Sequence, residues 1–142
     1  MKRRHLGGLA ASLFLGCSDG HAQPGSRLSK LQAVQFAERF IVENGYTNAP
    51  QSQVKAHLDS ESFDLPMSRD EALRMRLNTL RPRAIGVKVG QAGSPTGWAV
   101  AFDYASSNAD PKNCRVVTME EDGSHAVVQH ADGIRSSFAG FD

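Results

Sequence analysis

The chain is expected to adopt an α+β fold, with two helices followed by a four-stranded antiparallel meander whose curved sheet packs on the N-terminal helix. Three observations predict it. Apolar residues recur at a helical period twice in the first part of the chain. The period then drops to two. The alternating segments are joined by short, turn-forming connections, which favour antiparallel neighbours.

The first helix carries clear boundary marks. Ser29 is placed to accept a backbone N–H at the N-cap, and Gln32 three residues on completes a capping box. Ala33, Phe36, Ala37, Phe40 and Ile41 line one stripe, and Gly45 supplies the stop, so a helix is predicted over Ser29–Asn44. From Tyr46 to Met67 no period is sustained, and Pro50 and Pro66 interrupt the run. A short helical turn is expected over Val54–Leu58, with Phe63 and Leu65 as anchors to the core. Ser68 with Glu71 forms a second capping box, Leu73, Leu77 and Leu80 share a face, and Pro82 ends the element. The second helix is therefore predicted over Arg69–Leu80.

Beyond it Ile85, Val87 and Val89 alternate with Gly86 and Lys88, and Trp98, Val100, Phe102 and Tyr104 alternate with Ala99, Ala101 and Asp103. Strands are expected there and over residues 114–120 and 125–130, the last two joined by the turn pair Asp122-Gly123. In the second strand one face is large and the other small. A helix is expected to settle against Ala99 and Ala101, leaving the Trp98/Phe102 face to close over other core or to form a pocket. The tail, with Phe138 and Phe141, is expected to fold back at a place the pattern does not define.

The N-terminus has a different character. Met1-Lys2-Arg3-Arg4-His5 is basic, Leu6–Gly16 is apolar, and a polar stretch with small residues follows. This is the pattern of a secretory signal, and the apolar run is far short of the ~20 residues of a spanning helix. Two processing routes fit. Gly20-His21-Ala22 suits a cut before Gln23, whereas Leu13-Phe14-Leu15-Gly16-Cys17 resembles a lipobox that would place a lipid on Cys17. The expected organisation is a signal segment over 1–22, a linker over 23–28 and one domain over 29–142. Removing the first 22 of 142 residues leaves 120, enough for a single modest core. It also removes Lys2, Arg3, Arg4 and Asp19, so the formal charge moves from +1 to −1. A balance this close to neutral gives no reason to expect a nucleic-acid partner. The expected location is the periplasm, or the bacterial envelope through a lipid on Cys17, with no other contact with a membrane. The only other cysteine, Cys114, is expected to be a buried apolar residue at a strand start.

No segment carries a catalytic signature. Gly90-Gln91-Ala92-Gly93-Ser94-Pro95-Thr96-Gly97 is glycine-rich, but a strand follows and no Lys-Ser or Lys-Thr, so it reads as a hairpin connection rather than a phosphate loop. His125 and His130 lie five apart on one predicted strand and so face opposite ways, and His57 sits in the irregular segment. No metal site and no cofactor are expected. Ser94, His125 and Asp103 are one of many Ser/His/Asp sets that composition alone supplies, and no Gly-x-Ser-x-Gly elbow supports them. Glu120, Glu121 and Asp122 cluster at a turn, where acidic side chains are normally solvated.

The arginines give the leading candidates for a contact surface. Arg69, Arg74, Arg76, Arg81 and Arg83 fall within fifteen residues, and Arg74 and Arg81, seven apart, would project from nearly one helical face. Guanidinium forks suit carboxylate or phosphate recognition. Trp98 and Tyr104, at the two ends of the second strand, are further candidates for binding a partner, beside their default role in the core.

Ala33-Val34-Gln35-Phe36-Ala37-Glu38 and Val116-Val117-Thr118-Met119-Glu120-Glu121-Asp122-Gly123 are similar to stretches of small bacterial NTF2-fold immunity proteins, and the order of elements over residues 29–130 resembles theirs. The resemblance implies an NTF2-like or cystatin-like sheet, and a protein that neutralises a toxic effector by occluding it, without catalysis; it assigns no contact residue. The expected function is thus an exported, non-enzymatic protein-binding domain, an immunity-type inhibitor with a toxin or another envelope protein as partner. The alternative is a small-ligand or lipid-binding domain with a pocket walled by Trp98, Val100 and Phe102. A small hydrolase ranks third.

Overall fold

The computed structural model describes residues 25–60 and 66–138. The expected signal segment with Cys17, the anchors Phe63 and Leu65, and Phe141 lie outside the described residues. Leu28, at the end of the expected linker, is buried, and its N–H donates to the Glu121 carbonyl at 2.7 Å.

Helix α1 (Lys30–Asn44) starts at its capping box, with Ser29 Oγ accepting from the Gln32 N–H at 3.3 Å and Gln32 Oε1 from the Ser29 N–H at 2.9 Å. Its buried stripe is Ala33, Val34, Ala37 and Ile41. Gly45 ends it at φ 60°, and a Cβ there would lie 2.8 Å from Leu77 Cα, so only glycine lets the chain pass this close to the end of the third helix. The short turn expected at Val54–Leu58 is a full helix, α2 (Gln51–Ser60), seated on the core by Val54 and Leu58, one turn apart. Among the described residues there are therefore three α-helices, not two. The third, α3 (Arg69–Leu77), is capped by Ser68 as predicted but stops three residues early. Leu80, expected on the face of α3, instead opens strand β1 and pairs with Tyr104. Pro82 does not end a helix either. It lies in the edge strand, within a register shift between Leu80 and Ala84, where its missing N–H breaks no ladder bond. The next free N–H, that of Ala84, is satisfied by Glu38 Oε1 of α1 at 3.0 Å.

Strands β1 (Leu80–Gln91), β2 (Ser94–Tyr104), β3 (Asn113–Met119) and β4 (Val127–Val128) form the expected antiparallel meander in that order, and the sheet does not close on itself. The glycine-rich segment is a hairpin, tighter than expected: Gln91 pairs with Ser94 across Ala92-Gly93. At Asp122-Gly123 the chain does turn, with the Gly123 N–H on the Glu120 carbonyl, but pairing resumes only at Val127. The fourth strand is thus two residues long, not six, and neither His125 nor His130 lies on it. A fifth strand, β5 (Gly133–Ile134), pairs with the start of β3. Along β3 the step from Val117 to Cys114 is three residues, while the partners step five, from Val128 to Gly133. This broken edge therefore bulges by two residues opposite Arg115.

Partners across the ladders share a face, so the row Val87, Val100, Val117, Val128 and the residues Trp98, Phe102 and Met119 lie together under α1 as the main core. The long helix packs on the large face of β2, not on Ala99 and Ala101 as expected, and Trp98, Val100 and Phe102 are buried within that core. The small face receives the tail instead. A 3₁₀ turn, Arg135–Phe138, lays Phe138 on Ala99, Ala101, Cys114 and Val116. The two arrangements follow from volume: a helix covers a wide surface and can bury large side chains, while only a single aromatic ring fits over two alanines.

Gly86 lies directly beneath this turn, and a Cβ there would stand 1.7 Å from the Phe138 carbonyl oxygen. Gly86→Ala is expected to displace the 3₁₀ turn and to cost about 1–3 kcal/mol, the range of an overpacked core. Urea unfolding reads the loss, and amide hydrogen exchange at residues 135–138 reads the displacement. An unchanged unfolding midpoint with unchanged exchange would show that the tail is not docked there.

Candidate functional site

The 3₁₀ turn covers only one end of the small face. The other end is an open groove of about 610 Å³ between the β1–β2 hairpin and the tail residues 131–138. Its floor is Ala99, Val116 and Thr118, and its walls include Pro95, Ile134 and Phe138. Small side chains at Gly90, Ala92, Ala99 and Gly133 leave the volume unfilled. Ala99 and Thr118 at its base are themselves buried, 2% and 3% exposed, Ala99 beneath Phe138. A volume in this range lies within that of small-ligand sites, although the lining mixes apolar and polar side chains.

Seven polar side chains line the groove: Lys88, Gln91, Ser94, Thr118, Gln129, Asp132 and Ser137. Lys88, Ala99 and Thr118 occupy one row across three strands. The Lys88 ammonium stands over the Phe138 ring, 4.4 Å from its centroid. Thr118 Oγ accepts from Gln129 Nε2 at 2.6 Å, which leaves the hydroxyl proton to be donated. Asp132 is the one carboxylate in the lining, and it is already engaged, accepting from Tyr104 Oη at 2.6 Å, Asn113 Nδ2 at 3.3 Å and Arg115 at 3.0 Å. The charge left unneutralised in the groove is that of Lys88.

Behind the groove wall lies a second polar cluster. Arg115 is only 6% exposed and sits opposite the two-residue bulge. Its guanidinium donates to Tyr46 Oη, Tyr104 Oη, Asp132 and the carbonyls of Gln129 and His130. It also stacks over the Tyr46 ring, 4.7 Å from the centroid. Every donor direction is used, so the cluster acts as a clamp that fixes the tail. Burial pushes the Tyr104 phenol up to about 12, reinforced by its hydrogen bond to Asp132 and opposed by Arg115. Burial likewise raises the Cys114 thiol, and Asp103 and Asp132 act in the same direction. Cys114 is therefore the buried, unreactive residue expected at a strand start.

The sequence-predicted residues scatter. Arg74 and Arg76 are exposed on α3, with Met75 between them 57% exposed. Arg81 and Arg83 are on β1, so the expected pairing of Arg74 and Arg81 on one helical face does not form, because the helix has already ended. Arg83 pairs with Glu38 at 3.6 Å, and Arg81 lines a small cleft beside Ser106, Asp110 and Arg135. Trp98 is in the core, 6% exposed, and its indole N–H has no partner among the described residues. Tyr104 belongs to the clamp. Ser94, His125 and Asp103 do not converge: Ser94 edges the groove, His125 lies by the Glu120–Ser124 turn, and Asp103 accepts from Arg135 Nε at 2.8 Å. Asp122 in that turn is pulled below the usual carboxylate range by its hydrogen bonds from Ser124. No three His, Cys, Asp or Glu side chains among the described residues are placed to hold a metal ion. Among them, too, no helix is long and apolar enough to cross a membrane.

Sequence reasoning missed Lys88, Thr118, Gln129 and Arg115. The one usable signal was the run of small residues at Ala99 and Ala101, which marked a thin face but not its occupant. Set against protein-family models, curated proteins and solved structures, the chain gives no significant match.

Tyr104 gives a direct check on the clamp. Its phenol is raised in the folded protein, so the stabilisation is complete below pH ~10 and is lost as pH rises from there toward about 12. In Tyr46→Phe, where Tyr104 is the sole tyrosine, tyrosinate absorbance is expected to titrate near 12 in the native protein. In denaturant it should return to about 10. A native midpoint near the denatured one would mean that the phenol is not held.

Proposed function

We propose that this protein is an exported, non-enzymatic binding domain that takes its ligand in the groove on the small face of the sheet. The observation that carries the reading is the groove itself: an open hollow of about 610 Å³ on the face that β2 builds from its smallest residues, walled by a tail clamped from behind. Of the two serines in its lining, Ser94 and Ser137, Ser94 hydrogen-bonds with Thr96, and no histidine lines the groove among the described residues. The same meander crossed by one long helix supports a cystatin-like or NTF2-like assignment of the sheet.

A second reading rests on α3. This helix buries no residue and presents Met75 flanked by Arg74 and Arg76, an apolar centre with a cationic rim. Such a surface suits an acidic protein partner, as an immunity-type inhibitor of a toxic effector would need.

Two outcomes are expected. The protein recovered from its own cells should lack its first residues, with an intact mass that starts at Gln23 or at a lipid-bearing Cys17. A full-length mass beginning at Met1, recovered from the cytosol, would remove the exported part of the reading. Incubation with an extract of those cells should protect amides at residues 88–94 and 129–138 from hydrogen exchange. Protection confined to residues 69–77 favours the α3 reading instead, and protection at neither place overturns both.

A further inference from the structure

We propose that a second copy of this chain docks on the outer edge of β1, over Gly86–Gly90, to give a two-fold dimer with one continuous sheet. The dimer requires no ligand in the groove.

The ladder leaves this edge open. The Gln129 N–H donates to the Val116 carbonyl at 2.8 Å, so the backbone groups of Val116 point toward β4 and those of Val117 toward β2. Val117 pairs with Val100, whose groups therefore meet β3, while those of Ala99 and Ala101 meet Lys88 and Gly86. Val87 and Val89 are left with N–H and C=O aimed outward, and β1 ends the strand order on this side. The other edges among the described residues are closed. Pro82, and the Glu38 carboxylate on the Ala84 N–H, block the first half of β1. On the far side β4 and β5 have two residues each, and the Val128 N–H donates to Asn48 Oδ1 at 2.6 Å. A lysine on an edge usually guards it, but the Lys88 ammonium lies over the chain's own Phe138 ring, 4.4 Å from the centroid.

Apolar surface gathers beside the open stretch. Val89, 54% exposed, pairs with Trp98 and so lies on the face that carries α1. Leu31 and Val42, 66% and 60% exposed, share one flank of α1 with Glu38, which reaches the β1 edge. A hollow of about 360 Å³ lies between that flank and Pro82 and Arg83. Its charged residues are Glu38, Glu43, Arg39 and Arg83, two of each sign. A partner of one charge would call for a surface of the opposite sign. Both signs in equal number suit a self-complementary contact. A strand edge is self-complementary too, since each outward residue offers one donor and one acceptor.

Lys88 selects the register. A two-fold axis through Lys88 would set like charges directly opposite. One through Val89 would carry the pairing into Gly90, at φ 87°, where β1 already shifts register against β2. An axis through Val87 joins that residue to its own copy by exchanged N–H···O=C bonds. It also places Lys88 against Gly86 of the partner subunit, which has no side chain to oppose it. The flanks of the two α1 helices then face each other on one side of the sheet, over Leu31, Val42 and Val89. Both grooves open on the other side.

The test is sedimentation equilibrium on the protein as recovered from its cells, over a dilution series, with amide hydrogen exchange at each concentration. A monomer–dimer equilibrium is expected, with the Val87 and Val89 amides protected only where the dimer is populated. Val89→Lys and Val42→Glu, both at exposed positions, should each weaken association roughly tenfold or more. Met75→Lys on α3 should leave it unchanged. Lys88→Ala should also leave it unchanged, and tightening by that variant would put the axis on Lys88 and overturn the register. A monomer at every concentration overturns the dimer. Association that survives both Val89→Lys and Val42→Glu overturns the β1 edge as its seat. Val87 and Val89 amides protected in a monomer would mean that the chain covers its own edge, and that result also overturns the dimer.

Discussion

The asymmetry of β2 is the constraint from which the rest of the structure follows. Trp98, Val100 and Phe102 on one face offer three large side chains, and Ala99 and Ala101 on the other offer almost none. Burying a large apolar side chain contributes about 1.5–3 kcal/mol, so the large face dictates where α1 goes. Ala33 and Ala37 on α1 let the helix approach closely enough to cover those rings. The small face cannot hold a helix of that size and is left to the tail. One ring, Phe138, fills the space over Ala99, Ala101 and Cys114, and the groove lies beside it. The site is thus the complement of the core, built by the same strand and by the same alternation.

Arg115 resolves a second problem, that of fixing a tail with little apolar surface of its own. A buried guanidinium is costly unless its hydrogen bonds are made, because the charge has lost its water. Here the two-residue bulge turns the carbonyls of Gln129 and His130 toward it, and Asp132 supplies the counter-charge. Tyr46, just past α1, and Tyr104, at the end of β2, complete the shell. Helix end, sheet and tail therefore meet at one cation. The consequence for the groove is indirect but definite. Asp132 and Gly133 form part of its wall, and Arg115 both holds that wall in place and removes the one negative charge that would compete for Lys88.

Much of the architecture was legible in the sequence. The boundaries of α1 were, because a capping box and a glycine stop are local devices that act through neighbouring backbone atoms. The meander was legible for a similar reason, since alternation and short connections fix pairing without distant information. What failed depended on distant partners. Leu80 keeps the helical spacing of Leu73 and Leu77, and only its pairing with Tyr104 turns it into a strand residue. Pro82 looked like a terminator and is tolerated in an edge strand because Glu38, forty-four positions earlier, satisfies the neighbouring Ala84 N–H. The arginine strip dissolved with the helix that was to carry it. The side of β2 that α1 would choose was misjudged because a small face was taken as a helix seat, whereas the energetics reward covering the large one. Lys88 and Thr118 were invisible as a pair: they are thirty residues apart in sequence and two strands apart in space.

The groove also has a thermodynamic meaning. An open hollow beside the small face forgoes contacts that a filled one would make, and such withheld stability is characteristic of binding surfaces. A ligand that occupies the hollow only in the folded state returns that stability, by about 2.7 kcal/mol at a hundredfold excess over its dissociation constant. Because Gly133 and Phe138 of the docked tail line the groove, a molecule lodged there would touch tail and sheet together. Occupancy and tail docking would then favour each other, and the thinness of the β2 small face is what would couple them.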